Sequence, residues 1–400
     1  MLNNALNSLP TTLDKTYSRI LRAIPHEYKQ TALKILQFLT FSKRPLRIEE
    51  AVDVIAVNVE RCPYFSPKNR MPEPKEIMRY CLSLVIIVLK REQSGKQSAR
   101  YAELHLAHFS VKEYLTSDRT GNNITHVFQD TSASASIARI CVAYLLHFDN
   151  TISPEEARSS FPFAQYSARF WVDHARVAES REQEIMDLIE RLLCHEKDSY
   201  KLCYNLYRPD QPWNNKPDKD EEGPAPPLYY MVLGGLRKAV KLLLDKGADP
   251  NAQGGYYGNA IQAASSRGHE QVVKLLLDKG ADPNAQGGYY SNAIQAASEG
   301  GHEQVVKLLL DKGADPNAQG EYYSNALRAA SEGGHEQVVK LLLNKGADVK
   351  AKGQGEGSGR KVSPIYTNVI YSPWFQSMLE ASLWQTNRVY SHVDPRPSMK

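Results

Sequence analysis

The chain has 400 residues, with 49 Lys and Arg against 45 Asp and Glu and a net charge of +4, a balance that requires no nucleic-acid partner. Its length allows two or three domains. The five cysteines lack CxxC spacing, MLNNALNSLP at the start lacks a signal-peptide pattern, and the longest apolar run, residues 82–89, is too short to span a bilayer. We therefore expect reduced thiols, no membrane association and a cytoplasmic location, with a nuclear location also open.

Residues 1–120 are predicted to form a winged-helix-like domain. Apolar residues recur there at helical spacing in three segments, and two later segments have the apolar or alternating pattern of strands around a turn near Ser94-Gly95. The predicted helices cover residues 12–21, a segment that restarts after Pro25, and residues 48–57, and the predicted strands cover residues 82–89 and 101–108. Three helices followed by a two-stranded wing describe a winged helix.

Residues 121–206 are predicted to form a helical domain, with helices over residues 133–146, 163–177 and 184–193. The following residues 207–224 are rich in Pro, Asp, Asn and Lys, a composition typical of an exposed linker.

Three stretches of this half resemble the region that follows the NACHT nucleotide-binding domain in fungal receptor-like ATPases of the STAND or NLR-like type, including the winged-helix segment of inositol-deacylase-like relatives. They are LPTTLDKTY at 9–17, LAHFSVKEYL at 106–115, and residues 163–176 with Tyr166, Trp171 and His174. The resemblance implies that a NACHT domain hydrolyses nucleotide in that family, that the winged helix relays, and that a repeat array senses or recruits.

The sequence departs from that family because no GxxxxGK[ST] occurs in it, so the loop that would hold phosphates is missing. The chain starts where the NACHT domain would have ended. His105 and His108 lie on opposite faces of the predicted strand, no carboxylate pairs obviously with either, and Ser110 completes no triad. We therefore expect no enzymatic activity, no cofactor, no metal and no small-molecule substrate.

A DNA-binding role for the winged helix is a weaker alternative. Residues 1–120 hold 19 Lys and Arg against 12 Asp and Glu, which would allow phosphate contacts. A recognition helix presents Arg, Asn or Gln to base edges, whereas residues 48–57 carry Glu49, Glu50 and Asp53. Nucleic acid is therefore not the expected partner.

Residues 258–290 and 291–323 are two copies of one 33-residue unit. A fixed period of this length predicts a stacked solenoid. The copies differ only at the pairs Gly258/Ser291, Ser266/Glu299, Arg267/Gly300 and Gly288/Glu321.

Each unit is predicted to contain two helices. Asn259 is suited to cap a first helix of small residues, which ends at Gly268-His269. Residues 270–277 have apolar residues at helical spacing, and Lys279-Gly280 is suited to end that second helix.

The stretch GHEQVVKLLLDKGADPNAQ is similar to the ankyrin repeat family. The similarity implies four units over residues 225–352, beginning near Ala225, Gly258, Ser291 and Ser324. Where the family favours Thr-Pro-Leu-His, residues 259–262 read Asn-Ala-Ile-Gln. We expect the Asn to cap the helix and to share a side-chain hydrogen bond with the Gln.

One histidine recurs in each repeat, at His269, His302 and His335. Stacked helices lie about 8–10 Å apart, so successive histidines cannot share one tetrahedral ion with bonds of about 2 Å. We expect these histidines to be structural.

The resemblance to ankyrin repeats places partner contacts at the turn tips and the first-helix ends, where all four copy differences fall. Drift at unrestrained surface positions is the alternative explanation. Of the tyrosine pairs, Tyr257, Tyr290 and Tyr323 are expected to pack under the turn. The other member of each pair is expected to be an exposed tip. The predicted contact residues are Tyr256, Gly258, Ser266, Arg267, Tyr289, Ser291, Glu299, Glu321, Tyr322, Ser324 and Glu332.

Residues 353–400 show no sustained period and are expected to be disordered, although Tyr371-Ser372-Pro373-Trp374-Phe375 and Trp384 have the composition of a short docking motif. Taken together, the patterns predict a mainly α protein: a winged-helix and helical half followed by an ankyrin α-solenoid. The leading hypothesis is a non-enzymatic adaptor that binds a protein partner. The alternative is the C-terminal part of a NACHT-type signalling ATPase.

Overall fold

The computed structural model describes residues 2–94, 97–117, 124–148, 151–178, 183–193, 199–213, 224–320, 323 and 325–349. The chain separates into two compact units, Met1–Asp245 and Lys246–Lys400. The division falls inside the first predicted repeat, after its second helix. The Glu321, Tyr322 and Ser324 positions and the tail from residue 350 lie outside the described residues.

The N-terminal unit is mainly helical, with a small sheet. Its helices are α1 (Leu2–Ala23), α2 (His26–Phe41), α3 (Ile48–Ala56), α4 (Ile77–Cys81), α5 (Phe109–Thr116), α6 (Asp130–Leu145), α7 (Pro154–Ser160), α8 (Ala164–Val177), α9 (Gln183–Leu193), α10 (Ser199–Leu206), α11 (Pro227–Leu233) and α12 (Arg237–Asp245). The strands are β1 (Leu46–Arg47), β2 (Val85–Ser94) and β3 (Gln97–Leu106). Short 3₁₀ turns cover Pro67–Asn69, Pro74–Glu76, Leu82–Leu84 and Thr125–Phe128.

The sheet has the order β1-β3-β2 and is antiparallel throughout. The register pairs Val85 with Leu106 and Ser94 with Gln97, which makes β2 and β3 a long hairpin. The predicted strand pair is therefore confirmed, with shifted bounds. The first strand covers Val85–Ser94 instead of residues 82–89, and the second covers Gln97–Leu106 instead of residues 101–108. The two-residue β1 was not predicted, because so short an extended segment has no period of its own.

Two of the three family-like motifs contact each other. The Tyr17 hydroxyl and the Ser110 Oγ lie 2.7 Å apart, and the rings of Tyr17 and Tyr114 are 5.5 Å apart. His108 caps α5, since its Nδ1 accepts a hydrogen bond from the Ser110 backbone N–H. The helix that follows the hairpin is thereby held against α1.

Two acidic residues of α3, Glu50 and Asp53, are buried and internally paired, whereas Glu49 is exposed. Glu50 caps this helix and pairs with Arg44 at 2.5 Å, and Asp53, which is 0% exposed, pairs with Arg70 at 2.6 Å. The Tyr144 hydroxyl donates to the same Asp53 carboxylate at 2.6 Å. Glu50 and Asp53 are therefore held in internal ion pairs. Most of α3 is buried, so it has no broad exposed face with which to read base edges.

The described part of the C-terminal unit contains three helix pairs. The first helices are α13 (Ala260–Ser266), α15 (Ala293–Glu299) and α17 (Ala326–Glu332), and the second helices are α14 (Glu270–Asp278), α16 (Glu303–Asp311) and α18 (Glu336–Asn344). Small residues of the first helices and the Val and Leu of the second helices form the core. The mainly α architecture with an α-solenoid is confirmed. Among the described residues, no helix is long and apolar enough to cross a membrane.

Candidate protein-binding surface

A tight turn precedes the first helix of each repeat. Antiparallel bridges join Gln253 to Asn259 and Gly287 to Ser291, with a tyrosine pair between the bridged residues. The Tyr289 backbone N–H also donates to the Tyr256 carbonyl oxygen at 3.1 Å. Successive turns are therefore tied to each other as well as closed individually.

The tyrosine pairs form two stacked columns. In one, the rings of Tyr257, Tyr290 and Tyr323 are nearly parallel, with interplanar angles of 8° and 9°. In the other, Tyr256 and Tyr289 stack at 4.9 Å. Tyr257 is 8% exposed, as expected, while Tyr290 is half-buried. Tyr256 and Tyr289 are also half-buried, so they are members of an aromatic stack and not the exposed tips that were predicted.

Gly258 is buried and has a φ of 95°, and its counterpart Ser291 has a φ of 67°. A Cβ at residue 258 would lie 2.6 Å from the Gly288 nitrogen, and a Cβ at residue 288 would lie 2.1 Å from the Tyr257 carbonyl carbon. The two glycines therefore permit one close approach between neighbouring turns. Both members of this glycine pair are replaced in the next copy, by Ser291 and Glu321. Packing between turns therefore explains the glycine at residue 258 better than contact with a partner does.

The other two copy differences lie at the first-helix end and reach solvent. Ser266 is half-buried and donates to the Ala263 carbonyl oxygen at 2.9 Å, and Arg267 is exposed. In the next unit Glu299 is half-buried and accepts from the Tyr290 hydroxyl at 3.3 Å. Burial, and secondarily the negative charge of Glu299, raises the pKa of the Tyr290 hydroxyl. The hydroxyl is therefore a hydrogen-bond donor to this carboxylate.

The last described unit carries an ion pair at the equivalent place. Glu332 and Arg328 lie 2.8 Å apart, one helical turn from each other. Of the predicted contact residues, Glu321, Tyr322 and Ser324 lie outside the described part of the chain.

The asparagines cap the first helices, but the predicted Asn–Gln side-chain bond is wrong. Asn259 Oδ1 accepts from the Gln262 backbone N–H at 3.0 Å. The Gln262 amide instead links its own unit to the next, since its Nε2 donates to the Ala285 carbonyl oxygen within residues 258–290 at 3.1 Å and to the Ser291 carbonyl oxygen of the following unit at 3.0 Å. The equivalent Gln295 donates to the Ala318 carbonyl oxygen of its own unit.

A column of asparagines on the other side of the turn was missed. Asn251 Nδ2 donates to the Gly280 carbonyl oxygen at 3.0 Å, and its Oδ1 accepts from the Asp282 N–H at 2.8 Å. Asn284 and Asn317 repeat this pattern one and two units on. The sequence DPNAQ, which recurs at residues 249–253, 282–286 and 315–319, was the available signal. The role of its asparagine could not be predicted from it, because the asparagine binds backbone atoms 29 and 31 residues away.

The repeated histidines also bind across units. His302 Nε2 lies 3.2 Å from the Ser266 carbonyl oxygen, and His335 Nε2 lies 2.8 Å from that of Glu299. These contacts agree with a structural role. Within the described residues, no three His, Cys, Asp or Glu side chains are grouped so that they could hold a metal ion.

In the N-terminal unit, His105 does have a carboxylate partner, contrary to the expectation. Its Nε2 lies 2.8 Å from Glu103, two residues away on the same strand face. His108 Nδ1 and Ser110 Oγ are 2.7 Å apart, and the same Oγ contacts Tyr17. The contacts of Ser110 connect the start of α5 to α1, whereas the contact between His105 and Glu103 lies within β3.

The comparison with protein families decides the nature of the array. Residues 181–287 and 261–353 match the model of ankyrin repeats (three copies). These repeats are ankyrin repeats. The matched range begins at residue 181, before the predicted start of the array at Ala225, and therefore includes α9 and α10. The ankyrin repeats indicate a protein-interaction module.

A relative from a fungus matches most of the chain. Azaphilone pigments biosynthesis cluster protein L of Monascus ruber is 37% identical over 282 residues, which are 67% of this chain and 59% of the relative. The chain thus spans less than two thirds of that relative's length. The relative's name states no chemical activity.

Proposed function

We propose that this protein is a non-enzymatic adaptor whose ankyrin repeats bind a protein partner through the tyrosine turns and the first-helix ends. The observation that carries the proposal is a strip of half-buried and exposed residues on successive units. The strip comprises Tyr256, Ser266, Arg267, Tyr289, Glu299 and Glu332, and is named the turn-side strip below.

The chemistry of the turn-side strip supports binding rather than catalysis. Stacked tyrosines offer large, rigid contact area at low conformational cost, and aromatic residues and arginine are enriched where interfaces gain most affinity. Arg267 is exposed at one end, whereas the half-buried Glu299 and Glu332 lie on the two following units. A partner with both an acidic and a basic contact region would complement this distribution.

Capture of the partner by altered full chains tests the proposal. We expect Arg267→Glu together with Glu299→Lys to reduce retention of the partner at least tenfold, because both charges are reversed at exposed or half-buried sites. The matched control is Glu303→Lys together with Lys307→Glu on α16, which are exposed on the second helix. Equal retention by the turn-side variant and the control would contradict the assignment.

We infer further that the first half belongs with the region that follows NACHT domains and serves as a winged-helix relay. The contact between Tyr17 and Ser110 supports this inference, because it joins two stretches that resemble that family. The absence of a GxxxxGK[ST] motif from the sequence supports a non-enzymatic chain. Titration with Mg-ATP is expected to give no saturable binding, and saturable binding would contradict this part of the proposal.

A further inference from the structure

The outer strand of the small sheet leaves one long edge open. In the described sheet, whose order is β1-β3-β2, the ten-residue β2 has a neighbouring strand on one side only. The edge of a sheet presents a row of backbone N–H and C=O groups with which another extended segment can pair. The side of β2 that faces away from β3 is named the open edge below.

The register shows which residues direct their backbone groups to the open edge. The Ala107 N–H donates to the Leu84 carbonyl oxygen at 2.8 Å, which makes these residues a hydrogen-bonded pair at the base of the β2–β3 ladder. Bonded and non-bonded pairs alternate along an antiparallel ladder, so the even-numbered residues of β2 bond to β3. The N–H and C=O groups of Ile87, Leu89 and Arg91 therefore point away from β3. In the described part of the chain they have no hydrogen-bond partner.

The side chains along the open edge change from apolar to basic. Val85 is 1% exposed at the base of the hairpin, whereas Ile86 and Leu89 are 42% and 77% exposed. Leu89 is the most exposed of the large apolar side chains that the structure describes. The next two residues, Lys90 and Arg91, are exposed cations. A segment paired with this edge would cover apolar side chains along one half of its length and meet two cations along the other.

The charge of the hairpin distinguishes a second copy of this chain from a different partner. Its described side chains include three exposed cations, Lys90, Arg91 and Arg100. They include one carboxylate, that of Glu103, which pairs with His105 at 2.8 Å. Two copies joined through β2 would bring the cations of both together, and charged residues on an edge strand normally discourage such pairing. Carboxylates of a different partner would be attracted.

We propose that the open edge of β2 binds an extended, acidic segment of another protein by strand addition. The outward backbone groups supply the ladder, and apolar side chains of the ligand cover Ile87 and Leu89. Carboxylates of the ligand lie opposite Lys90 and Arg91. A nucleic acid would engage the cations alone and leave the backbone groups unpaired. The site lies in the N-terminal unit and does not depend on the proposal for the ankyrin repeats.

Binding of a synthetic peptide to the full chain tests the proposal. The probe is fluorescently labelled SEEVTVTVTS, which in antiparallel pairing places glutamates opposite Lys90 and Arg91 and valines opposite Ile87 and Leu89. We expect saturable binding by fluorescence anisotropy. Leu89→Pro should weaken it at least tenfold, because proline removes an outward N–H and no hydrogen bond to β3. Leu89→Ala keeps that N–H and should weaken binding less.

Charge and backbone contributions are measured separately. Lys90→Glu with Arg91→Glu should weaken binding at least tenfold. The matched control, Lys68→Glu with Lys75→Glu, reverses two exposed cations outside the hairpin and should leave binding unchanged. The same peptide N-methylated at its first two valines keeps its charges but loses two donors, and should not bind. That peptide requires no change in the protein, so it decides the question even if the proline variant is not folded.

Three results would overturn the proposal. The first is a lack of saturable binding by the unmodified peptide. The second is binding that charge reversal abolishes but Leu89→Pro and N-methylation leave unchanged, because a surface that reads charge alone fits a nucleic acid. The third is self-association of the chain that Leu89→Pro abolishes, because a second copy then occupies the edge. Arg267→Glu with Glu299→Lys should bind the peptide normally, which separates this test from that of the turn-side strip.

Discussion

At the scale of single residues, two equivalent positions of neighbouring repeats carry different residues because their surroundings differ. Gly258 and Ser291 occupy equivalent positions with positive φ, yet only Gly258 faces a neighbouring backbone at a distance that excludes a Cβ. Sequence comparison of the copies predicted partner contact at this position. It did not reveal that the clearance at residue 258 depends on Gly288 in the next turn.

We predict that Gly258→Ser destabilises the array by roughly 2–4 kcal/mol, from the positive φ and the steric conflict with Gly288. Ser291→Gly removes a residue from a left-handed conformation and should be neutral or slightly stabilising. Urea unfolding of the two variants measures both changes. Equal effects of the two substitutions would show that the close approach of the turns has no energetic weight.

We predict that His174 makes the stability of the N-terminal unit depend on pH. Burial, and secondarily Lys43, lowers the pKa of His174 from 6.5 to about 4. In the folded state its Nε2 is 3.3 Å from the Tyr166 hydroxyl. Above about pH 6.5 the imidazole is neutral in both states. As the pH falls from about 6.5 to 4, only the unfolded state takes up the proton, so stability decreases.

The expected loss over this pH range is up to roughly 3 kcal/mol from this histidine alone. His174→Gln should remove that part of the pH dependence while lowering stability at pH 7. At each pH, this change in stability is measured as the urea midpoint of the unfolding transition that exposes the buried Trp171. An unaltered slope between pH 6.5 and 4 in the variant would exclude His174 as its source.

At the scale of elements, the repeats were largely predictable, because their information is local. The 33-residue period, the Asn caps and the glycine after each second helix placed α13 to α18 within a few residues. The glutamine bridges and the asparagine column were not predictable in this way. Their partners are backbone C=O and N–H groups 23 to 31 residues away, which carry no sequence signal.

We predict that Gln262→Ala weakens the boundary between successive repeats by about 1–3 kcal/mol, because the Ala285 carbonyl oxygen of its own unit and the Ser291 carbonyl oxygen of the next unit lose a donor. Gln286→Ala is a suitable control, since its exposed side chain donates to Asn284, two residues away. Thermal unfolding of the full chain would compare them. If both variants unfold at the same temperature, the bridge contributes nothing to repeat coupling.

At the scale of the whole molecule, the N-terminal unit and the ankyrin repeats differ in the surface that they offer to a partner. In the described part of the N-terminal unit, a polar network surrounds the buried Asp53 and most of α3 is buried, so α3 presents little surface for reading nucleic acid. The ankyrin repeats offer the continuous surface. The longer helices of both halves followed from periodicity, whereas the short helices α4, α5, α7 and α10 were not predicted. The internal pairing of Glu50 and Asp53 likewise required the fold.

A hydrogen-exchange footprint of the full chain with its captured partner would locate the binding surface. Binding through the turn-side strip predicts slower exchange in the turns at residues 253–259 and 286–292 and at the C-terminal ends of α13, α15 and α17, with α14 and α16 unchanged. Protection confined to α14 and α16, or to the N-terminal unit, would contradict binding through the turn-side strip.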